Sequence, residues 1–346
     1  MKKKYALLLI ITIFISSLFF TSCKKKEQPS VTKENYLLGT IVKLKVYGNN
    51  AEEATNKAMN AISNIDDKMS PSKPNSEVSL INKNAGKSFV KVSNDTFLVI
   101  KKAIEYANLS EGAFDITVGP LVNIWGIGTD KARIPSPKEI KEKVALINYK
   151  DILLDEKTKS VKLKKENESI DLGGIAKGYT ADIVKEILEK EGINTAFINL
   201  GGNIVTVGNK TDGTLWNIGI QDPLKLRGEY FGIIKTSHKS IVSSGNYERF
   251  FEKGGKRYHH ILDTKTGYPA DKGLISTTII SDKSIDGDAL STSTFVLGLD
   301  KGMKLIESLK GVDAIFIAKD KKIYTTSGLK DSFKLSNEEY IYEKRR

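Results

Sequence analysis

From Ile41 to Tyr47 the chain reads IVKLKVY, an alternation of apolar and polar side chains that predicts a strand with one buried face. The period then changes. Ala54, Ala58, Ala61, Ile62, Ile65 and Met69 fall at helical spacing, which predicts an amphipathic helix over residues 51–69 that stops before Pro71. The same reasoning predicts helices over 95–109, stopping near Gly112, over 176–190 with Gly192 as a C-terminal cap, and over 301–309. Between the last two helices the segments 196–199, 204–207, 215–221, 230–235, 258–262 and 276–280 look like strands. Helices and strands mix without a regular βαβ beat and without an internal repeat. The expected class is therefore α+β, a mixed sheet with flanking helices.

The first residues follow a different rule. Lys2, Lys3 and Lys4 precede an apolar run over 5–20. At about 16 residues this is roughly 24 Å of helix, against roughly 30 Å of bilayer hydrocarbon. The run fits a signal segment ending in the small residues Thr21 and Ser22, followed by Cys23. A small residue directly before a cysteine resembles a bacterial lipobox, so Cys23 is expected to carry lipid. Residues 1–22 are then a signal peptide, 23–33 a polar tether and 34–346 the globular domain, held outside the cytoplasm on a bacterial membrane. Cys23 is the only cysteine, so no internal disulfide exists.

Charge narrows the partners. The formal net charge is +12, and removing Lys2, Lys3 and Lys4 lowers it by three to +9. Apart from Lys24 to Lys26 and Lys344 to Arg346 the cations are scattered, which describes a solvated surface. No nucleic-acid-binding module is present, and nucleic acid is not an expected partner.

Five stretches carry the candidate chemistry: GAFDITVGPLVNIWG (112–126), DLGGIAKGY (171–179), NLGGNI (199–204), HHILDTKTGYP (259–269) and DGDALSTSTF (286–295). In DLGGIAKGY, Gly173 and Gly174 open a helical pattern, leaving backbone amides near a helix N-terminus with Lys177 beside them. That suits an anion, or else it packs a helix on a sheet. It is neither a Walker A loop nor a G-x-G-x-x-G fingerprint. Asp288 and Thr292 are four apart, so on a helix both oxygens share a face suited to a sparse Mg²⁺ site. The alternative is a helix N-cap at Asp288. His259 and His260 point to opposite faces if they lie on a strand, so they do not clasp one metal. One of them with Asp263 makes a candidate general base, and a structural histidine is the alternative.

Taken together, these segments resemble the ApbE family of FAD:protein FMN transferases. The resemblance begins at Leu38-Gly39-Thr40 and runs through Met69-Ser70, Ser76 to Ser79 and the five stretches. It also takes in Ser243-Ser244-Gly245-Asn246-Tyr247. It implies an FAD cleft between two intimate lobes, with magnesium on the diphosphate. The implied metal ligands are the Ala176 carbonyl, Asp288 and Thr292, with Ser291 as a further candidate. The implied flavin cleft involves Leu38, Ser72, Ala113, Phe114, Asp115, Gly173, Lys177, Tyr179, His260 and Ile261. His260 or Asp263 is the implied base. The implied acceptors are flavin-carrying subunits of membrane redox complexes, which take FMN on a threonine while AMP leaves. Three positions depart from the family pattern: Leu38 for methionine, Thr264 for proline, and Ser72 where some members carry an aromatic residue. The last opens a second reading, an FAD pyrophosphatase. A flavin-binding lipoprotein without catalysis explains the anchor but not Asp288 and Thr292. Ser244-Gly245-Asn246 and Lys265-Thr266-Gly267 echo penicillin-recognising enzymes, but the required S-x-x-K at a helix start is not suitably placed.

Overall fold

The computed structural model describes residues 28–343. The expected signal peptide, Cys23 and the first residues of the tether lie outside the described residues. Strands β1 (Ser30–Leu37) and β2 (Thr40–Tyr47) form a hairpin, followed by α1 (Ala51–Met69). A helix-rich lobe comes next: α2 (Glu77–Lys83), β3 (Val90–Lys91), α3 (Asn94–Leu109), α4 (Gly119–Trp125), α5 (Pro137–Val144), β4 (Ile152–Asp155) and β5 (Ser160–Leu163). Then α6 (Ala176–Lys190) leads to β6 (Thr195–Leu200), β7 (Asn203–Val207), β8 (Trp216–Gln221), β9 (Tyr230–Thr236), β10 (Ser240–Gly245), β11 (Phe250–Lys253), β12 (Lys256–His259) and β13 (Leu274–Ser281). The chain finishes with α7 (Ser284–Leu297), α8 (Leu299–Glu307), β14 (Asp313–Ala318), β15 (Lys322–Thr325), β16 (Phe333–Leu335) and β17 (Ile341–Tyr342).

A nine-stranded sheet in the order β1-β2-β6-β7-β10-β13-β14-β15-β17 organises the molecule. Its neighbours are antiparallel except β15 and β17. One face is covered by helices. Val42, Leu44 and Val46 of β2 pack with Ala196, Ile198 and Leu200 of β6 beneath Ala58 and Ile62 of α1 and Val184 and Leu188 of α6. The other face is covered by the small sheet β16-β9-β8, through Ile218, Ile220, Phe231 and Ile234. Alternation along β6 follows from this two-sided packing: Ala196, Ile198 and Leu200 are buried, while Phe197 turns to the opposite face, its ring tilted against Trp216 at 6.1 Å between centroids.

The structure departs from the sequence reading in identifiable places. β1 begins at Ser30, inside the expected tether. Its sequence SVTKENYL shows no apolar face, and a full ladder to β2 holds it at the sheet edge. β10, SIVSSG, has no alternation to detect because its hydroxyls are used internally: Ser243 bonds Thr278 at 2.8 Å and Ser244 bonds Ser291 at 2.8 Å. The strand expected over 258–262 ends at His259, and Leu262 makes only an isolated bridge to Pro269. α8 lies two residues earlier than expected, because Gly298 breaks α7 from it at φ 80°.

Candidate active site

A cleft of about 870 Å³ opens where the N-terminal half of α6, one face of α7, the β1–β2 turn and the loops after β10 and β12 meet. The turn is a two-residue hairpin with Leu38 at φ 55° and Gly39 at φ 67°. Left-handed backbone at both positions matches the twist of the flanking strands, and at Leu38 it costs of order 1 kcal/mol. Arg249 holds the turn over the cleft, its Nη2 donating to the Gly39 carbonyl at 3.0 Å.

The deepest wall is a helix crossing. Asp182 of α6 caps α7 by accepting from the Ser284 and Ile285 amides at 2.7 and 2.9 Å. Burial pushes the Asp182 carboxyl up to about 6, against the downward pull of those amides. With its start at Ser284, α7 carries Asp288 in its second turn, so Asp288 is not an N-cap. Thr292 follows one turn later, and both residues line the cleft. Asp288 Oδ2 accepts from the Gly178 amide at 2.8 Å, and Lys177 Nζ lies 3.4 Å from Oδ1 while also donating to the Gly173 carbonyl. The glycine turn therefore serves packing and charge together. A Cβ at Gly178 would sit 2.3 Å from the Ser284 carbonyl oxygen, so only glycine lets the two helices approach this closely.

The structure brings together most of the residues implied by sequence. Leu38, Ser72, Ala113, Phe114, Asp115, Gly173, Ala176, Lys177, His260, Ile261, Asp288 and Thr292 all line the cleft. Three others stand elsewhere. Tyr179 is buried in the helix-rich lobe's core, where its hydroxyl donates to Asp95 at 2.7 Å; burial and that carboxylate raise its pKa. Asp263 builds a turn, its Oδ1 accepting from the Lys265 and Thr266 amides at 2.9 and 3.2 Å, so its carboxylate is not presented to the cleft. Ser291 is fully buried behind Asp288, donating to that residue's carbonyl at 2.9 Å. Asp115 lines the cleft, yet its carboxylate is occupied by the Thr117 amide and hydroxyl and by the Tyr149 amide. Burial pushes its pKa up and those donors oppose it.

The two histidines divide the alternatives between them. His259 is buried, its Nε2 at 3.0 Å from the Ala270 carbonyl and its ring edge-on to Phe295. His260 faces the cleft. The residue is exposed, and its Nδ1 lies 3.3 Å from the Arg249 carbonyl. Crowding by the surrounding protein, with the Arg249 guanidinium nearby, lowers its pKa, which keeps the imidazole neutral and makes it a weak base. Thr264, in place of proline, fixes the next turn by donating to the Gly112 carbonyl at 2.6 Å. Sequence reasoning did not single out Arg249 or Lys73 on the cleft wall. Both are ordinary surface cations in the sequence, and only the turns around them bring them inward.

The chain matches the ApbE family over residues 38–316. It belongs to the ApbE family. Among relatives, the FAD:protein FMN transferase of Klebsiella pneumoniae (strain 342) is 38% identical over 291 residues, covering 84% of this chain and 90% of that protein. The FAD:protein FMN transferase of Treponema pallidum (strain Nichols) is 31% identical over 330 residues, covering 90% and 91%. The crystal structure of the ApbE protein from Thermotoga maritima superposes with a TM-score of 0.81 at 33% identity, covering 87% of this chain and 98% of that one. The flavin transferase ApbE from Vibrio cholerae gives a TM-score of 0.79 at 28% identity, covering 88% and 99%. In this ApbE chain, no group of three or more His, Cys, Asp or Glu able to hold a metal occurs among the described residues.

Proposed function

We propose that this protein is an FAD:protein FMN transferase that uses Mg²⁺. The observation that carries the reading is the meeting of Asp288 and Thr292 on one face of α7 with the start of α6, inside a cleft large enough for a dinucleotide. Asp288 is held there by Gly178 and Lys177. The groups that would hold it are hard, few and all oxygen: the Asp288 carboxylate, the Thr292 hydroxyl and the Ala176 carbonyl, which also accepts from the Thr180 hydroxyl at 2.7 Å. Such a set fits Mg²⁺, which keeps waters and takes further ligands from substrate phosphates. When bound, the ion supplies charge neutralisation on the transferring phosphoryl group.

The protein's own residues do the rest. Lys177 offers its charge to the diphosphate end, Asp288 would hold the ion beside it, and the Leu38–Gly39 turn lies over the cleft. The acceptor threonine oxygen bonds to the FMN phosphorus. The bond from that phosphorus to the bridging oxygen breaks, and AMP leaves with its electron pair. Neutral His260 is the candidate to receive the hydroxyl proton. Positioning and electrostatics dominate such transfers. Acceptors of the expected kind are flavin-carrying subunits of membrane redox complexes. Incubation of the protein with FAD, Mg²⁺ and a candidate acceptor should add the mass of FMN less one water to one threonine, read by mass spectrometry. An acceptor of the right class that stays unmodified under all metal conditions would refute the reading.

A second reading, FAD hydrolysis, is favoured by one feature. Ser72 is small, its hydroxyl bonds Ser70 at 2.9 Å, and it offers the flavin no ring of its own. Water would attack the same phosphorus. Steady AMP release from FAD and Mg²⁺ without acceptor marks hydrolysis, whereas strict transfer releases none.

We also propose that the domain is extracytoplasmic and tethered to the membrane by lipid on Cys23, on the strength of the charged and apolar N-terminal segment before it. A palmitate label should enter the wild type and be lost in Cys23→Ala. Label retained by the variant would refute the tether.

A further inference from the structure

Asn203 is the first residue of β7, directly after the Gly201–Gly202 turn, and it is only 3% exposed. It lines the cleft, yet its Nδ2 is buried without a hydrogen-bond partner. Buried amide donors are normally satisfied, and leaving one unmade costs about 1–3 kcal/mol. Strand geometry fixes where this one points. Side chains two apart share a face, and Val205 and Val207 pack in the core beneath α1 and α6. Asn203 therefore faces the same side as the α6 N-terminal turn with Ala176, Lys177 and Gly178. The adjacent strand β10, joined to β7 through Ile241 and Ile204, presents Ser244 to that side. There Ser244 meets Ser291 at 2.8 Å and Thr292 at 3.4 Å.

We propose that the Asn203 amide is a binding residue for the diphosphate bridge of the bound dinucleotide, donating from Nδ2 to one of its oxygens opposite Asp288 and Thr292. The assignment rests on the FAD reading above. An uncharged donor suits the position. It holds a phosphate oxygen without competing with the cation for Asp288, as a further lysine would.

The test uses the full chain and three probes: FAD, ADP and riboflavin. Asn203→Ala should weaken FAD and ADP binding about tenfold, the loss of one hydrogen bond to a charged group. Asn203→Asp, nearly the same shape but anionic, should weaken both about a hundredfold or more, because a carboxylate then faces the diphosphate. Riboflavin, which lacks phosphate, should bind all three proteins alike. The unliganded Asn203→Ala protein should melt no lower than wild type, because it loses no internal hydrogen bond. A purely structural asparagine predicts the reverse: a lower melting temperature with ligand affinities intact. FAD affinity within twofold of wild type in both variants overturns the assignment, as does an equal loss for riboflavin. Wild-type protein that binds no FAD overturns the flavin reading itself, which keeps the two failures distinct.

Discussion

Asp288→Ala should lower FMN transfer about a thousandfold at saturating FAD and Mg²⁺, with little transfer recovered by adding metal. The size follows from what the carboxylate does: it is the sole anionic donor of the proposed cation site, and metal charge on a transferring phosphoryl group is worth several kcal/mol. Its removal also frees Lys177 from its 3.4 Å contact and leaves the Gly178 amide without its 2.8 Å acceptor. A folding defect of about 1–3 kcal/mol is therefore expected beside the catalytic one. Asp288→Asn separates the two effects. Its amide oxygen still accepts from Gly178, so it should melt close to wild type while losing most of the activity. Flavinylation rate against Mg²⁺ concentration, with thermal melts of each variant, makes the measurement. Undiminished transfer by Asp288→Ala would remove the metal assignment.

Gly178→Ala should destabilise the protein by about 3 kcal/mol and abolish activity at the same time. On an isolated helix the substitution would stabilise by about 1 kcal/mol. Here the added Cβ would lie 2.3 Å from the Ser284 carbonyl oxygen and 2.7 Å from Asp288 Cβ. Both belong to α7, and one is backbone that cannot rotate away, so the helices must separate. Separation moves Ala176 and Lys177 away from Asp288 and Thr292, which is why stability and activity should fall together. Urea denaturation decides it, since a rise in the unfolding midpoint has the wrong sign for a packed crossing.

Much of this arrangement is legible in the sequence where one local rule governs. The helix Ala176–Lys190 and its Gly192 cap at φ 77° appear where periodicity and glycine place them, and α1 ends at Met69 before Pro71. Elements fail to register where tertiary contacts decide. β10 hides behind serines whose partners lie 35 and 47 residues away, and β1 has no apolar face of its own. The same holds at the site. Asp288 and Thr292 share a helix face as their spacing suggests. In contrast, the roles of Tyr179 and Asp263 depend on which way one turn faces. Tyr179 is drawn into the core by Asp95, and Asp263 is taken up by the amides two and three residues ahead. No local pattern reveals that.

The contact between Gly178 and Asp288 spans 110 positions of chain. A nascent polypeptide stopped anywhere before α7 therefore owns half of the proposed cation site, and such distant pairings form slowly because the intervening loop must close first. Nucleotide capture should accordingly become complete only once α7, which begins at Ser284 of a 346-residue chain, has been delivered and seated. Before that point the maturing molecule lacks the α7 wall of its cleft.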